Sequence, residues 1–96
     1  MAVVYRSHFQ IIADILHTAR DYSDGGSGVN ITLLIRKANV SYRRMSGILE
    51  RLVDAGLLQQ VPEEKACRYK ISERGVEFLQ AYTQFHDFVE SFGLKA

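Results

Sequence analysis

The period at which apolar residues recur changes twice along this 96-residue chain, and the change limits the folds open to it. In the first half they recur every three or four residues. Tyr5, Phe9, Ile12, Leu16 and Ala19 step by 4, 3, 4 and 3, with Ile15 widening the stripe, and predict a helix from Tyr5 to Asp21. The glycine-rich run Asp24-Gly25-Gly26-Ser27-Gly28 ends it. Asn30 can cap a short second helix, Ile31 to Ala38, whose apolar residues are Ile31, Leu34, Ile35 and Ala38. After the brief turn at Asn39 and Val40, Ser41 is a good cap for a third helix reaching Ala55. Its apolar residues Met45, Ile48, Leu49 and Leu52 fall at i, i+3, i+4 and i+7, and Gly56 stands just past its end.

From there the period drops to two. Leu57 to Val61 and Cys67 to Ile71 read as strands about a turn at Pro62 to Ala66. Cys67, Tyr69 and Ile71 share one face of the second strand, with Arg68 and Lys70 on the other. Ser72 then caps a last helix reaching Phe92. Two short helices joined by a tight turn, with a hairpin directly after them, describe a winged helix-turn-helix, mainly α with a small β-hairpin. Residues 1–75 form the winged-helix domain in this reading. Residues 76–96 are a C-terminal dimerisation helix continuous with it.

Several chemistries are excluded at the same level. No apolar run approaches the roughly 20 residues of a membrane span, and the first residues lack a signal peptide's apolar stretch, so a cytoplasmic protein without a membrane partner is expected. The single cysteine, Cys67, rules out an internal disulfide or a cysteine-rich zinc site. His8, His17 and His86 show no metal-binding spacing, and the glycine-rich run lacks the Lys-Ser/Thr of a phosphate loop. No enzyme activity, cofactor, metal or small-molecule ligand is expected. Cys67 reads as a small wing residue, or as a redox-sensing thiol favoured by the flanking Lys65 and Arg68.

Net charge is only +1, but its distribution is uneven. Between residues 36 and 52 the sequence RKANVSYRRMSGILERL carries five of the twelve Lys and Arg residues against one acid. From Glu73 onward the acids Glu73, Glu77, Asp87 and Glu90 outweigh Arg74 and Lys95. A basic middle is followed by a mildly acidic tail.

The stretches RSHFQIIADILHTA, LIRKANVSYRRMSGILERLVDAGLL and YKISERGVEFLQAY resemble three blocks of the small archaeal winged-helix DNA-binding proteins of roughly 10 kDa. In that family a C-terminal helix pairs two subunits through an antiparallel coiled coil. The resemblance implies double-stranded DNA as a partner, with a nucleoid-associated role as transcriptional regulator or chromatin protein.

In a helix-turn-helix the second helix enters the major groove, N-terminal residues foremost. With the apolar stripe turned inward, Arg43, Arg44, Ser46, Gly47, Glu50 and Arg51 face outward from the third helix. Ser41, Tyr42, Arg43, Arg44, Ser46, Gly47 and Arg51 are therefore candidate DNA contacts. Arg36 and Lys37 are placed to grip phosphates, Thr32 lies at a helix N-terminus suited to a phosphate, and Lys65 and Arg68 serve the wing. Each has a plainer reading: a solvated cationic face, a tolerated glycine at Gly47, a partly buried Tyr42. A winged-helix protein-interaction module without DNA binding is the alternative function. Finally, Phe78, Tyr82, Phe85, Val89 and Phe92 step by 4, 3, 4 and 3 and predict a homodimer seam. The alternative is that this seam folds back on the first helix of its own chain.

Overall fold

Polar side chains start three of the helices. Asn30 Oδ1 accepts the Leu33 N–H at 2.9 Å and opens α2 (Ile31–Ala38). Ser41 Oγ accepts the Arg44 N–H at 3.3 Å and opens α3 (Tyr42–Asp54), and Ser72 Oγ accepts the Gly75 N–H at 3.0 Å to open α4 (Glu73–Ser91). Each cap satisfies an amide that a helix leaves without an internal partner. The first helix, α1 (His8–Asp21), was expected from Tyr5; that start lies outside the residues that the computed structural model describes, which are 8–23, 26–63 and 66–94.

The helix ends are equally local. Gly56, at φ +81°, donates to the Val53 carbonyl at 3.0 Å while Leu57 donates to that of Leu52 at 2.9 Å, closing α3 in a Schellman motif. The same pair of bonds closes α4, from Gly93 to Glu90 and from Leu94 to Val89. Asn39 takes the left-handed conformation after α2, φ 54°, and turns the chain directly into Ser41.

The hairpin pairs β1 (Leu58–Pro62) antiparallel with β2 (Cys67–Ile71), Leu58 opposite Ile71 and Pro62 opposite Cys67. The loop after α1 joins it. Val29 and Tyr69 exchange both backbone hydrogen bonds, at 2.9 and 2.8 Å, so the loop adds one residue of a third strand.

The core lies where α1 meets α2, β2 and α4. Ile15, Leu16, Leu34, Met45, Leu49, Leu58 and Leu79 are its fully buried centre. The expected stripes of α1, α2 and α3 face it, with Ile12, Ile15, Leu16 and Ala19 buried on α1, but α1 departs at its start. Phe9 is 59% exposed, whereas Ile11 and Ala13 are buried. Three elements close on α1, so its buried surface is wider than the one expected stripe. In α4, Gly75 and Leu79 are buried and Phe78 and Tyr82 pack against the core. The helix leaves the body only beyond Tyr82.

Gly75 is where α4 comes closest to the hairpin. A Cβ there would overlap the Leu57 carbonyl oxygen and stand 2.6 Å from Ile71 Cγ1. Backbone cannot yield as a flexible side chain would. Gly75→Ala should lower the unfolding free energy by about 1 to 3 kcal/mol, read as a lower urea midpoint at unchanged slope.

Candidate nucleic-acid interface

The turn between α2 and α3 brings the basic stretch to one exposed region. Arg36 and Lys37 occupy the last turn of α2, and Ser41, Tyr42, Arg43 and Arg44 follow within the cap and first turn of α3. All six are exposed, as are Thr32 in the first turn of α2 and Ser46, Gly47 and Arg51 farther along α3. Met45, Ile48, Leu49 and Leu52 face the core, so the orientation expected for α3 holds. Tyr42 is 66% exposed, which removes its reading as a partly buried residue.

Charge pairing separates these cations from Arg20 and Arg68. Arg20 binds Asp21 at 2.9 Å and holds that carboxyl below its usual range. Arg36, Arg43, Arg44 and Arg51 pair with no acid among the described residues. Lys37 is held differently. Its Nζ stands 4.7 Å from the centre of the Tyr22 ring, an exposed cation–π contact. Tyr22 was not singled out in the sequence; a lone aromatic at a helix end carries no periodic signal.

Two of the expected contacts lie on the wing. Lys65 lies outside the described residues. Arg68 is occupied within the chain: Nε donates to Glu63 Oε1 at 2.8 Å and Nη1 to the Gly28 carbonyl at 2.9 Å. It braces the wing against the loop after α1, beside the Val29–Tyr69 bridge. Gly28 is buried there at φ +94°, and a Cβ would meet the Tyr69 carbonyl oxygen at 2.9 Å. Cys67 is half-buried, its Sγ 3.2 Å from the Gln60 amide nitrogen that donates to it.

Between α3 and the hairpin lies a polar cleft of about 300 Å³, lined by Ser46, Glu50, Asp54, Gln60 and Tyr69 over Leu49 and Val53. Ser46 and Glu50 face this cleft, whereas Arg44 and Arg51 lie on the opposite flank of α3. Burial, followed by the neighbouring Cys67, raises the Tyr69 phenol above its ordinary value. It stays a neutral hydroxyl.

The second candidate surface is on α4. Phe78 and Tyr82 are half-buried and stacked at 6.4 Å, and Tyr82 stacks on His86 at 6.1 Å. Phe85 and Phe92 are 67% and 65% exposed, and Val89 is half-buried. The seam does not fold back as a whole: only its first two residues reach the core. With Phe9, the residues Phe78, Tyr82, Phe85 and Val89 line an open apolar groove of about 400 Å³. Phe88, outside the expected seam, is also 62% exposed and packs edge-on to Phe92 at 5.0 Å.

A helix-turn-helix of α2 and α3, a hairpin directly after it and flanking helices behind define a winged helix-turn-helix domain. The chain belongs to the winged helix-turn-helix family, whose model matches residues 5–90. Among solved structures it is similar to Sso10a-2, a DNA-binding protein from Sulfolobus solfataricus, at 25% identity and a TM-score of 0.77 over 91% of this chain and 85% of that one. It shares its fold with AF1382 from Archaeoglobus fulgidus (20% identity, TM-score 0.70, 91% of this chain and 92% of that one). The fold also matches MepR, a transcription regulator of the Staphylococcus aureus multidrug efflux pump MepA (14% identity, TM-score 0.69, 85% of this chain and 60% of that one). Two of these come from archaea, in keeping with the resemblance seen in the sequence. None of the curated proteins compared matches it. Among the described residues no helix is long and apolar enough to cross a membrane.

The contrast between braced and unpaired arginines is measurable. Arg68→Ala should cost about 1 kcal/mol of stability, less than a fully buried charge-assisted hydrogen bond because the side chain is partly solvated. Arg43→Ala should stay within about 0.5 kcal/mol of the parent protein in the same denaturation experiment.

Proposed function

We propose that the protein is a double-stranded DNA-binding protein, a transcriptional regulator or chromatin protein, that docks α3 in the major groove. The observation that carries this reading is the set of four arginines on α2 and α3 that pair with no acid among the described residues, although the chain as a whole is nearly neutral. An unpaired guanidinium has its full donor fork available, which suits phosphate oxygens and the O6/N7 edge of guanine. Arg43 and Arg44 lead the N-terminal end of α3, the end a recognition helix presents to bases. Arg36 and Lys37 lie one turn away for the phosphate backbone, and contacts of that kind supply salt-dependent affinity. The likeness to Sso10a-2, a DNA-binding protein, supports the same reading.

DNA is bound by a homodimer. Phe85, Phe88 and Phe92 project from α4 beyond the core, and exposed aromatic surface of this extent is uncommon on a soluble monomer. A second copy of α4 supplies matching aromatics for the groove formed with Phe9. Pairing through the distal half of α4 and the turn that follows it, residues 83–94, leaves both α3 helices free and sets them a fixed distance apart, so the preferred DNA carries two half-sites.

Fluorescence anisotropy against duplex DNA at several salt concentrations tests the first part. Replacing Arg43 and Arg44 with Ala should weaken binding roughly tenfold or more and flatten the log–log salt slope by up to about 1.8, near 0.9 for each phosphate that is no longer neutralised. Equal affinity of the folded double variant at low salt would sink the assignment of α3. For the dimer, light scattering should report about twice the 10.9 kDa chain mass, and Phe85→Glu should halve it. A parent protein that stays monomeric at tens of micromolar would remove that part.

A further inference from the structure

Gly47 sits in the interior of α3, where glycine is less favourable than alanine because it leaves the backbone freer in the unfolded chain. The other described glycines have reasons within the chain: Gly26, Gly28, Gly56 and Gly93 adopt positive φ, and Gly75 has no space for a Cβ. Gly47 has neither. A Cβ there would meet nothing within 4 Å apart from its own helix, and the residue is exposed.

Helical geometry sets what surrounds it. Met45, Ile48, Leu49 and Leu52 direct one side of α3 to the core, which puts Gly47 near the middle of the opposite side. Its surface neighbours at i−4, i−3, i+3 and i+4 are Arg43, Arg44, Glu50 and Arg51. Three guanidiniums that pair with no acid among the described residues, with Glu50 as the fourth neighbour toward the hairpin cleft, therefore surround a notch whose floor is bare helix backbone. A solvated cationic face has no use for the notch. An anionic surface that must come close to the helix axis does.

Building on the DNA-binding reading above, we infer that Gly47 is a positioning residue for the duplex. It admits the DNA surface to the α3 backbone more closely than any side chain would allow, and Arg43, Arg44 and Arg51 close around the edge of the contact. The role is steric, so it is separable from charge. Adding one methyl group stabilises the helix and obstructs the partner, moving stability and affinity in opposite directions.

The test compares Gly47→Ala with the parent protein and with Gln80→Ala, a helix-favouring change on an exposed residue of α4 outside the pairing segment and away from the face. Gly47→Ala should raise the melting temperature by about 2 to 8 °C. It should also weaken duplex binding roughly tenfold or more, the scale of forcing one methyl into a close contact. The salt slope should stay at the parent value, since every cation remains in place. Gln80→Ala should leave affinity unchanged. Parent-like affinity in Gly47→Ala overturns the inference while leaving the DNA-binding reading standing, and so does a loss of thermal stability, which would give the glycine a reason inside the chain. Absence of salt-dependent duplex binding by the parent protein removes both.

Discussion

The Ser72 hydroxyl donates to the Gly56 carbonyl at 2.6 Å and accepts the Gly75 N–H at 3.0 Å, and the Ser72 N–H donates to the Leu57 carbonyl at 3.2 Å. One residue thus ties the end of α3, the entry to β1 and the first turn of α4 into a single joint. The joint closes only because Gly75 carries no side chain against Leu57 and Ile71. The direction in which the hairpin leaves α3 and the direction in which α4 leaves the hairpin are both decided here. The wing and the aromatic end of α4 are therefore oriented from the same few backbone atoms.

A second tie works from the other side. Val29 bridges Tyr69, and Arg68 reaches past it to the Gly28 carbonyl, so the loop after α1 anchors the strand of the wing that returns to the body. Charge is divided accordingly. Arg68 is paired where it braces the wing and Arg20 with its neighbour Asp21, whereas the arginines of α2 and α3 pair with no acid among the described residues. A nearly neutral protein can in this way present a concentrated positive surface, since an electrostatic field at short range depends on local arrangement and not on the sum.

The α4 helix has two roles along one length. Its first turns complete the core through Leu79, with Phe78 and Tyr82 at the margin, and its last turns carry aromatics outward until the Schellman motif at Gly93 ends the helix. The transition needs no break in the helix. Residues of one continuous stripe pass from core to surface simply because the body beneath them ends.

Much of this was legible in the residues alone. Asn30, Ser41 and Ser72 announce helix starts through bonds to amides three residues on, and the inward side of α3 follows from spacing alone, so both are consequences of local geometry. The exposure of Arg43, Arg44 and Arg51 follows with it. Other features could not be read this way. Phe9 fits the stripe of α1 yet lies exposed, because three elements packing around that helix determine its buried side. Arg68 alternates outward with Lys70, yet its guanidinium is engaged with Gly28, forty residues away in sequence. Nothing local marks Gly75 as the tightest contact or Val29 as a strand partner. Sequence by itself determined the elements, their caps and the cationic helix face, since those depend on bonds and spacings within a few residues. Tertiary structure alone decided which cations stay unpaired, which aromatics stay uncovered and which glycine stands open, since each depends on what the fold brings near and what it leaves bare.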